Sequence, residues 1–345
     1  RLIQVGYEVH VSSPYGERID YLIKMGVKYH PILMERHGMN LFKERMLLET
    51  YKLLYKKVRP DVVLGYTIKP NIYGAIAAKE MGIPFIANIT GLGTAVENKG
   101  WKQKVLIILY RYAFTDVQTV FFQNVENQQF FVDHHIDLNH HRLLPGSGVN
   151  LQRFPLLPYP EDTTIRFAFI SRIMKEKGIE QYLEAAKWLT NKYDNLEFHI
   201  CGFCEEAYLG YLEELSQSGV VIYHDMVMDI SSFLKNIHCV VHPTYYPEGI
   251  SNVLLEACAS GRPIITTDRS GCREVVDDTV NGYKIPQKDT PSLIAAMEWF
   301  IHLPNAERKK MGINGRLKVE RQFDRKIVVE AYMQELEHLS QEKHY

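Results

Sequence analysis

The chain has 345 residues, of which 46% are hydrophobic and 23% are charged, and its formal net charge at pH 7 is −1. This composition excludes a disordered or fibrous chain, and the length suits two ordinary globular domains. No apolar run reaches the ~18 residues that a membrane-spanning helix requires, so the sequence predicts none.

The first half of the chain alternates short apolar strands with helical segments. We predict strands at residues 7–14, 61–66 and 83–90, and helices at residues 41–58 and 70–82. Strands that alternate with helices through short loops indicate a parallel sheet covered on both faces. The first six residues resemble the end of a helix, so we expect a preceding strand to lie upstream of Arg1.

A loop-rich stretch at residues 143–164, with four prolines and two glycines, is the predicted domain boundary. After it the strand–helix alternation resumes, and an amphipathic helix closes the chain. We therefore predict an α/β fold with two Rossmann-like doubly wound domains facing across a cleft. They comprise residues 1–147 and 148–322, and residues 323–345 form a helix packing back toward the first domain.

The segment PEGISNVLLEACASGRP holds two carboxylates in a distinctive setting. Glu248 lies in a loop marked by proline and glycine beyond a predicted strand, and Glu256 lies about one turn into the next helix. In doubly wound folds, ligands bind beyond the carboxyl ends of the strands. Gly249 permits close approach of a ligand, and Ser251 or Asn252 can cap the helix. The amides at the start of this helix suit a diphosphate.

Two cations accompany this segment. Arg172 and Lys177 flank a strand-to-helix junction about 75 residues before Glu248. Because both junctions are predicted at one sheet edge, the two cations can neutralise a leaving diphosphate. Each feature alone is usually a solvated surface group, but the combination in this order is specific.

With these residues the second half resembles the retaining glycosyltransferases of family 4, which have the two-domain GT-B fold. Glu248 and Glu256 match the paired glutamates of that family, Arg172 and Lys177 match its basic pair, and ACASGRPIITTDRSG matches a further segment. The resemblance implies that Glu256 binds the ribose of a nucleotide sugar and that Glu248 contacts the sugar. The donor-binding residues it implies are Glu256, Gly249, Ile250, Ser251 and Asn252, with Gly202, Met226 and Val227 near the base.

The first half resembles a bacterial subgroup that extends polyprenyl-diphosphate-linked glycans in capsule, O-antigen or glycoprotein assembly. The resemblance lies in residues 66–94 and implies acceptor-side roles for Lys69, Asn88, Thr90, Gly91 and Gly93. Many family members have a histidine where this chain has Thr90. A side-chain base at that strand end is therefore not expected.

The chain contains no DxD motif, so we expect no divalent metal and no other cofactor, with the nucleotide sugar as co-substrate. Arg172, Lys177 and the helix start near Ser251 would stabilise the leaving diphosphate, and Glu248 completes the predicted catalytic set. The resemblance implies retention of configuration. A donor phosphate oxygen would then accept the proton of the attacking hydroxyl.

Residues 98–114 combine Trp101, Lys102, Lys104 and Arg111 with apolar side chains. This pattern favours a helix on an anionic membrane surface, and a buried helix with a basic edge is the alternative. We expect a cytoplasmic protein that is peripheral at the inner face of the plasma membrane, with no nucleic-acid partner.

Charge and cysteine content agree with that location. Residues 1–150 hold 18 Lys and Arg against 13 Asp and Glu, whereas residues 151–345 hold 22 against 28. A basic first half suits an anionic surface. The odd number of cysteines, five, favours free thiols in a reducing cytosol.

The sequence thus predicts a metal-independent hexosyl- or N-acetylhexosaminyltransferase that uses a UDP-sugar in surface polysaccharide or glycoconjugate synthesis. One alternative is a sugar-nucleotide epimerase of the same fold, which would need acid–base residues in the cleft. The other is an inactive nucleotide-binding partner subunit, against which the four charged site residues argue. His242, at the end of a predicted strand, either packs in the core or touches the donor.

Overall fold

A computed structural model describes residues 1–16, 18–34, 40–93, 100–137, 140–204 and 206–342. Thr94 of the predicted acceptor segment, residues 98 and 99 of the predicted membrane-facing segment, and the last three residues of the C-terminal helix prediction lie outside these ranges. Within them, no helix combines the length and the apolar character needed to cross a membrane.

The first half forms two parallel sheets in the described residues. One pairs β1 with β2, and the other has the order β3-β4-β5-β6. The elements are β1 (His10–Ser13), α1 (Ile19–Lys24), β2 (Lys28–Pro31), α2 (Leu41–Val58), β3 (Val63–Tyr66), α3 (Ala75–Glu80), β4 (Phe85–Ile89), α4 (Trp101–Ala113), β5 (Thr119–Phe122), α5 (Val125–Asp133) and β6 (His141–Leu143), with a 3₁₀ turn at Ile3–Val5 and a π-helical turn at Pro70–Gly74.

The helix predicted at residues 70–82 therefore begins as a π-helical turn and becomes α-helical only at Ala75. This wider turn puts Asn71 beside β4, where its side-chain Nδ2 donates to the backbone oxygen of Asn88 at 2.8 Å. All five residues of β4 are buried. Helices therefore cover both faces of the central strand, as expected for a parallel sheet.

The second half forms one six-stranded parallel sheet with the order β12-β11-β10-β7-β8-β9. The chain starts in the middle at β7, runs outward to β9, then returns beside β7 and runs outward on the other side. The junction of β7 and β10 is thus the topological switch point, where doubly wound sheets bind ligands. The elements are β7 (Ile165–Ile170), α6 (Ile179–Thr190), β8 (Leu196–Cys201), α7 (Glu206–Gln217), β9 (Ile222–Tyr223), α8 (Ile230–Phe233), β10 (Cys239–His242), α9 (Asn252–Ala259), β11 (Ile264–Thr267), β12 (Gly282–Ile285), α10 (Thr290–His302), α11 (Asn305–Gln322) and α12 (Arg325–Glu342).

Alternation along β7 divides the core of the second half into two layers. Phe167 and Phe169 pack on one face of the sheet with the residues of α6 and α10. Ala168 and Ile170 pack on the other face with the residues of α9. This period of two, with both faces apolar, is what the sequence of a buried parallel strand dictates.

The chain crosses between the halves twice, and the two crossings lie side by side. The backbone N–H of Val149 donates to the oxygen of Phe323 at 2.8 Å, and the N–H of Arg325 donates to the oxygen of Val149 at 3.1 Å. Beyond this point α12 lies against the first half, where the Tyr332 and Phe121 rings are 4.7 Å apart. The C-terminal helix therefore joins the four-stranded sheet rather than the six-stranded one.

Candidate functional site

Two segments far apart in sequence meet at the switch point of the second sheet. β7 and β10 are hydrogen-bonded neighbours, with Phe167 opposite Cys239. The segments that follow them are joined as well, because the N–H of Tyr245 donates to the oxygen of Glu176 at 2.9 Å. This topology brings the predicted basic pair to the loop that carries Glu248.

Gly178 fixes the close approach of these segments. Its φ is +80°, and a Cβ there would lie 2.2 Å from the backbone oxygen of Pro243. Only glycine accommodates both the left-handed conformation and the contact. The residue before it, Lys177, is thereby turned into the space beneath the 243–248 loop.

The structure brings Arg172, Lys177 and Glu248 together around one aromatic ring. Lys177 is buried and contacts Glu248 through its Nζ and the carboxylate Oε1. Its Nζ lies 4.9 Å from the centre of the Tyr246 ring, and the Arg172 guanidinium carbon lies 6.0 Å from that centre. The two cations therefore share one side of the site, and Arg172 is the more exposed.

Burial lowers the pKa of Lys177 to about 8, and the positive charge of Arg172 acts in the same direction. The contact with the Glu248 carboxylate favours the ammonium form and opposes this shift. Lys177 is thus a cation at neutral pH that loses its proton more readily than an exposed lysine. An anion placed beside this partly desolvated ammonium group interacts with it strongly.

The loop after Glu248 has fewer free amides than the sequence suggested. Ser251 takes the N-cap position of α9 but makes no side-chain cap hydrogen bond. Its N–H donates to the oxygen of Gly271 at 2.8 Å. The N–H of Ile250 reaches the Oε1 of Gln123 at 3.4 Å. Of the amides of Gly249, Ile250 and Ser251, those of Ile250 and Ser251 therefore have protein acceptors.

Glu256 lies on α9 one turn beyond Asn252, whose Oδ1 accepts from Ser147 at 2.7 Å. Burial raises the pKa of Glu256, and the charges of Arg153, Arg18 and Arg325 oppose that shift. The side chain is half-buried. A carboxylate in such a setting is a good hydrogen-bond acceptor for a neutral diol.

The region predicted for the base is assembled at the ends of β8 and β9. Gly202 has φ +144°, and a Cβ there would lie 1.8 Å from the oxygen of Ser171. Its N–H donates to the oxygen of Asp225 at 2.9 Å, which joins Gly202 to the segment of Met226 and Val227. Met226 is half-exposed and Val227 packs partly into the core.

The acceptor-side candidates fall into two places. Thr90 and Gly91 face the donor loop, since a Cβ at Gly91 would lie 3.3 Å from the N of Gly249. Lys69 is turned toward α2, where its Nζ forms an ion pair with Glu44 at 2.6 Å. Gly93, with φ +66°, has Ile68 as its neighbour. Asn88 is buried and fully engaged with protein groups.

The sequence did not single out Gln123 and Asn124, which follow β5. The Nδ2 of Asn124 donates to the oxygens of Glu248 and Gly249 at 3.1 and 3.0 Å. A Cβ at Gly249 would lie 2.1 Å from the Oε1 of Gln123 and 2.6 Å from the oxygen of Thr90. The glycine thus permits a close approach of the first half of the chain. The available signal was a polar Gln-Asn pair directly after a buried strand.

His242, left open by the sequence, is fully buried at the end of β10. Burial and the nearby charge of Lys177 lower its pKa to about 3, so the ring is neutral. Among the described residues neither ring nitrogen has a hydrogen-bond partner. No group of three or more His, Cys, Asp or Glu side chains able to hold a metal ion occurs in the described part of the chain.

Two family models match the chain. The model described as "Glycosyl transferase 4-like" matches residues 1–124, and "Glycosyl transferases group 1" matches residues 158–318. The first covers the N-terminal sheets up to β5, and the second covers the six-stranded sheet with all the charged residues around Lys177. The two matches divide at the crossing described above.

The chain is also similar over most of its length to curated bacterial proteins. It is 26% identical to the N,N'-diacetylbacillosaminyl-diphospho-undecaprenol alpha-1,3-N-acetylgalactosaminyltransferase of Campylobacter jejuni, covering 94% of this chain and 90% of that protein. It is 27% identical to the capsular polysaccharide biosynthesis glycosyltransferase CapM of Staphylococcus aureus, covering 94% and 88%. Over 75% of its length it is 25% identical to an Escherichia coli UDP-Gal:alpha-D-GlcNAc-diphosphoundecaprenol alpha-1,3-galactosyltransferase, covering 71% of that protein.

Solved structures agree on the fold. The Anabaena protein HepE, crystallised with UDP and glucose, superposes with a TM-score of 0.78 at 17% identity, covering 96% of this chain and 91% of that one. A glycosyltransferase of Rickettsia africae gives a TM-score of 0.79 at 16% identity, covering 98% and 92%. The architecture predicted from the sequence, two Rossmann-like domains in the GT-B arrangement, is confirmed.

Proposed function

This chain belongs to the glycosyl transferases of group 1, and on that premise we propose that it transfers a sugar from a UDP-sugar to a lipid-diphosphate-linked glycan with retention of configuration. The sugar is a hexose or an N-acetylhexosamine, and the product serves surface polysaccharide or glycoconjugate synthesis. The names of the Campylobacter, Staphylococcus and Escherichia relatives support this class of donor, acceptor and pathway.

The observation that carries the proposal is the cluster of Arg172, Lys177 and Glu248 at the switch point, next to the start of α9. Two cations and a helix N-terminus at one end of a sheet form a field for a dianionic leaving group. Glu256 lies one turn into the same helix, where we expect its carboxylate to reach the ribose attached to that diphosphate. The arrangement supports nucleotide-sugar binding more directly than any other chemistry.

The reaction follows from that field. The acceptor hydroxyl oxygen bonds to the anomeric carbon while the bond from that carbon to the β-phosphate oxygen breaks. The bonding electrons stay on the phosphate oxygen, which also takes the hydroxyl proton. Lys177 and Arg172 stabilise the charge that develops there, so no divalent cation is required.

Glu248 contacts the ammonium group of Lys177, and the diphosphate of a bound donor would take its place as the anionic partner. The diphosphate would keep the buried ammonium paired, because a buried charge without a partner is strongly destabilising. Glu248 would then be available to contact the sugar.

We also propose that the first half rests on an anionic membrane surface, where a polyprenyl acceptor resides. Trp101, Ile108 and Tyr112 of α4 are each more than half exposed, and α2 exposes Leu41 and Phe42. Lys102 and Lys104 accompany them on α4. Exposed aromatic and apolar side chains beside lysines suit the boundary between headgroups and acyl chains.

The test is a transfer assay with purified protein, a panel of UDP- and GDP-sugars, and sugar-diphosphoundecaprenol acceptors in detergent or vesicles. We expect release of UDP that depends on one donor, an elongated lipid product with the α-linkage of an α-configured donor, and activity that persists with EDTA. A product formed from the donor alone would instead indicate an epimerase. UDP binding without turnover on any acceptor would indicate the inactive partner subunit, and loss of activity with EDTA would overturn the metal-independent mechanism.

A further inference from the structure

A single chain of side-chain hydrogen bonds links the C-terminal helix to the loop that carries Glu248. The N–H of Ile250 donates to the Oε1 of Gln123 at 3.4 Å, and the Nε2 of Gln123 donates to the Oδ1 of Asn88 at 3.3 Å. The Nδ2 of Asn88 then donates to the hydroxyl of Tyr332 at 2.6 Å. Each amide both accepts and donates, so the bonds run in one direction and polarise one another.

The members of this relay have little freedom to move. Gln123 and Asn88 are buried, and Asn88 is held from a third side because its backbone oxygen accepts from Asn71 at 2.8 Å. Burial raises the pKa of Tyr332 well above its ordinary value, so its hydroxyl stays protonated. Buried polar groups that are fully hydrogen-bonded specify one arrangement. The relay therefore fixes where the Gln123 amide presents its oxygen.

The donor loop is shaped by that oxygen and by the neighbouring Asn124. The Nδ2 of Asn124 donates to the backbone oxygens of Glu248 and Gly249. The Oε1 of Gln123 lies so close to the Gly249 backbone that a Cβ there would clash with it. On its other side, Gly271 presses against the oxygen of Gly249, because a Cβ at Gly271 would lie 2.2 Å from it. The loop is thus packed between Gln123 and Asn124 of the first half and the turn at Gly271 of the second half.

We propose that Gln123, with Asn88 and Tyr332 behind it, is a positioning residue that sets the Glu248 loop in its catalytic geometry when the two halves of the molecule close. Asn124 acts beside it on the same loop. The residues proposed to bind the nucleotide belong to the second half, so we expect the relay to govern turnover more than nucleotide affinity. This inference rests on the proposed transferase function. It adds that the C-terminal helix, through Tyr332, helps to set the position of the Glu248 loop when the two halves are closed.

The experiment compares Tyr332→Phe with Thr119→Val. Tyr332→Phe removes one hydroxyl from the far end of the relay and keeps the ring that packs on Phe121. Thr119→Val is the matched control, because Thr119 also joins β5 to α12 by one hydrogen bond, to Glu335 at 2.5 Å, but lies outside the relay. A third variant, Gln123→Leu, breaks the relay at its centre.

We expect Tyr332→Phe to lower kcat about tenfold while the Kd for UDP stays within about twofold. Gln123→Leu, which also frees the Ile250 amide, should lower kcat at least as much. Thr119→Val should leave both unchanged. The double variant Gln123→Leu/Tyr332→Phe should be no slower than Gln123→Leu alone, because residues in one network are not additive. Equal losses in Tyr332→Phe and Thr119→Val, or a double variant with multiplied effects, would overturn the relay.

Hydrogen–deuterium exchange of the peptide spanning residues 247–251 gives a readout that needs no substrate. Tyr332→Phe should speed exchange of the Ile250 amide, and Thr119→Val should not. If the exchange result holds but the wild-type protein turns over no nucleotide sugar, the transferase proposal fails and the relay stands. If exchange is unchanged in both variants while the wild type is active, the relay fails and the transferase proposal stands.

Discussion

Lys177 carries its ammonium group into a nearly closed space beside Tyr246 and Glu248. Because this charge faces the developing leaving group, we expect Lys177→Ala to lower kcat/KM about 10²- to 10³-fold. Lys175→Ala is the matched control, since a 3₁₀ turn spans Lys175–Lys177 and Lys175 has 64% of its side chain exposed. Initial-rate measurements decide the matter, and equal losses in the two variants would refute the assigned role.

The low pKa of Lys177 gives a further expectation about pH. As the pH rises through about 8, the donor-free protein loses the Lys177 charge, so kcat/KM should fall on the alkaline side. In Lys177→Arg any residual activity should lack this limb, because a guanidinium stays protonated. A pH–rate profile from 6 to 10 for both proteins tests this. An alkaline limb retained in the arginine variant would assign it to another group.

We expect the ionised carboxylate of Glu256 to strengthen UDP binding but to lower the stability of the folded protein. Its raised pKa means that the ionised form is disfavoured in the folded state, so stability is lost as pH rises above the ordinary value of 4.5. Glu256→Gln should therefore raise Tm at pH 7, and the gain should shrink toward pH 4.5. The same change should weaken UDP binding about tenfold or more, because a charged hydrogen bond to the ribose is lost.

Calorimetry and thermal melts of Glu256→Gln check both halves of this expectation. The control is Glu213→Gln on the exposed face of α7, where neither Tm nor UDP affinity should change. A Glu256→Gln protein that binds UDP as tightly as wild type would show that the ribose lies elsewhere.

Helix α4 exposes large apolar side chains beside lysines. Trp101 is 66% and Ile108 63% exposed. We expect cosedimentation with vesicles rich in anionic lipid, weakening as salt is raised, and Trp101→Glu/Ile108→Glu should reduce the bound fraction severalfold. Leu317→Glu on α11 removes a side chain of similar exposure, 57%, from the other half and should have no effect. Identical binding of all three proteins would reject α4 as the membrane-facing element.

At the scale of elements, the sequence was most informative where strands are buried on both faces. The apolar runs of the sequence predict β3, β4, β7, β8 and β10. These strands in turn define the sheet edge at which Glu248 lies. The short strands β2, β5, β6 and β12 were not predicted, because an apolar run of three or four residues does not by itself distinguish a strand from a helix segment or a loop. The sequence CREVV at residues 272–276 predicts a helical turn, whereas the structure has turns there without a helix.

The residues of the candidate site were also predicted only in part from the sequence. Arg172, Lys177, Glu248 and Glu256 were predictable because strand order alone brings their loops together. The contacts of Gln123 and Asn124 with Gly249 were not, because they depend on how the two halves of the chain pack against each other. Lys69 was assigned to the acceptor side through the family resemblance of residues 66–94, and its pairing with Glu44 depends on how α2 packs.

The molecule as a whole holds its two halves together at the donor loop and at the paired crossings of the chain. Val149 and Arg325 exchange backbone hydrogen bonds with the opposite crossing, so both connections share one narrow region. Across the cleft, Arg273 pairs with Glu126 at 3.2 Å, a partly exposed contact. Because surface ion pairs contribute little, we attribute closure mainly to the close contact at Gly249.

Gly249→Ala tests that closure directly. The added methyl would lie 2.1 Å from the Gln123 oxygen and 2.6 Å from the Thr90 backbone oxygen, and the second contact cannot be relieved by a side-chain rotation. We expect the halves to separate, seen as a larger radius of gyration in small-angle scattering, with kcat lowered at least tenfold. Gly210→Ala is the control, because a Cβ there meets nothing within 4 Å and alanine favours a helix by about 0.5–1 kcal/mol. If Gly249→Ala keeps the wild-type scattering profile and rate, the halves do not need the glycine contact to close.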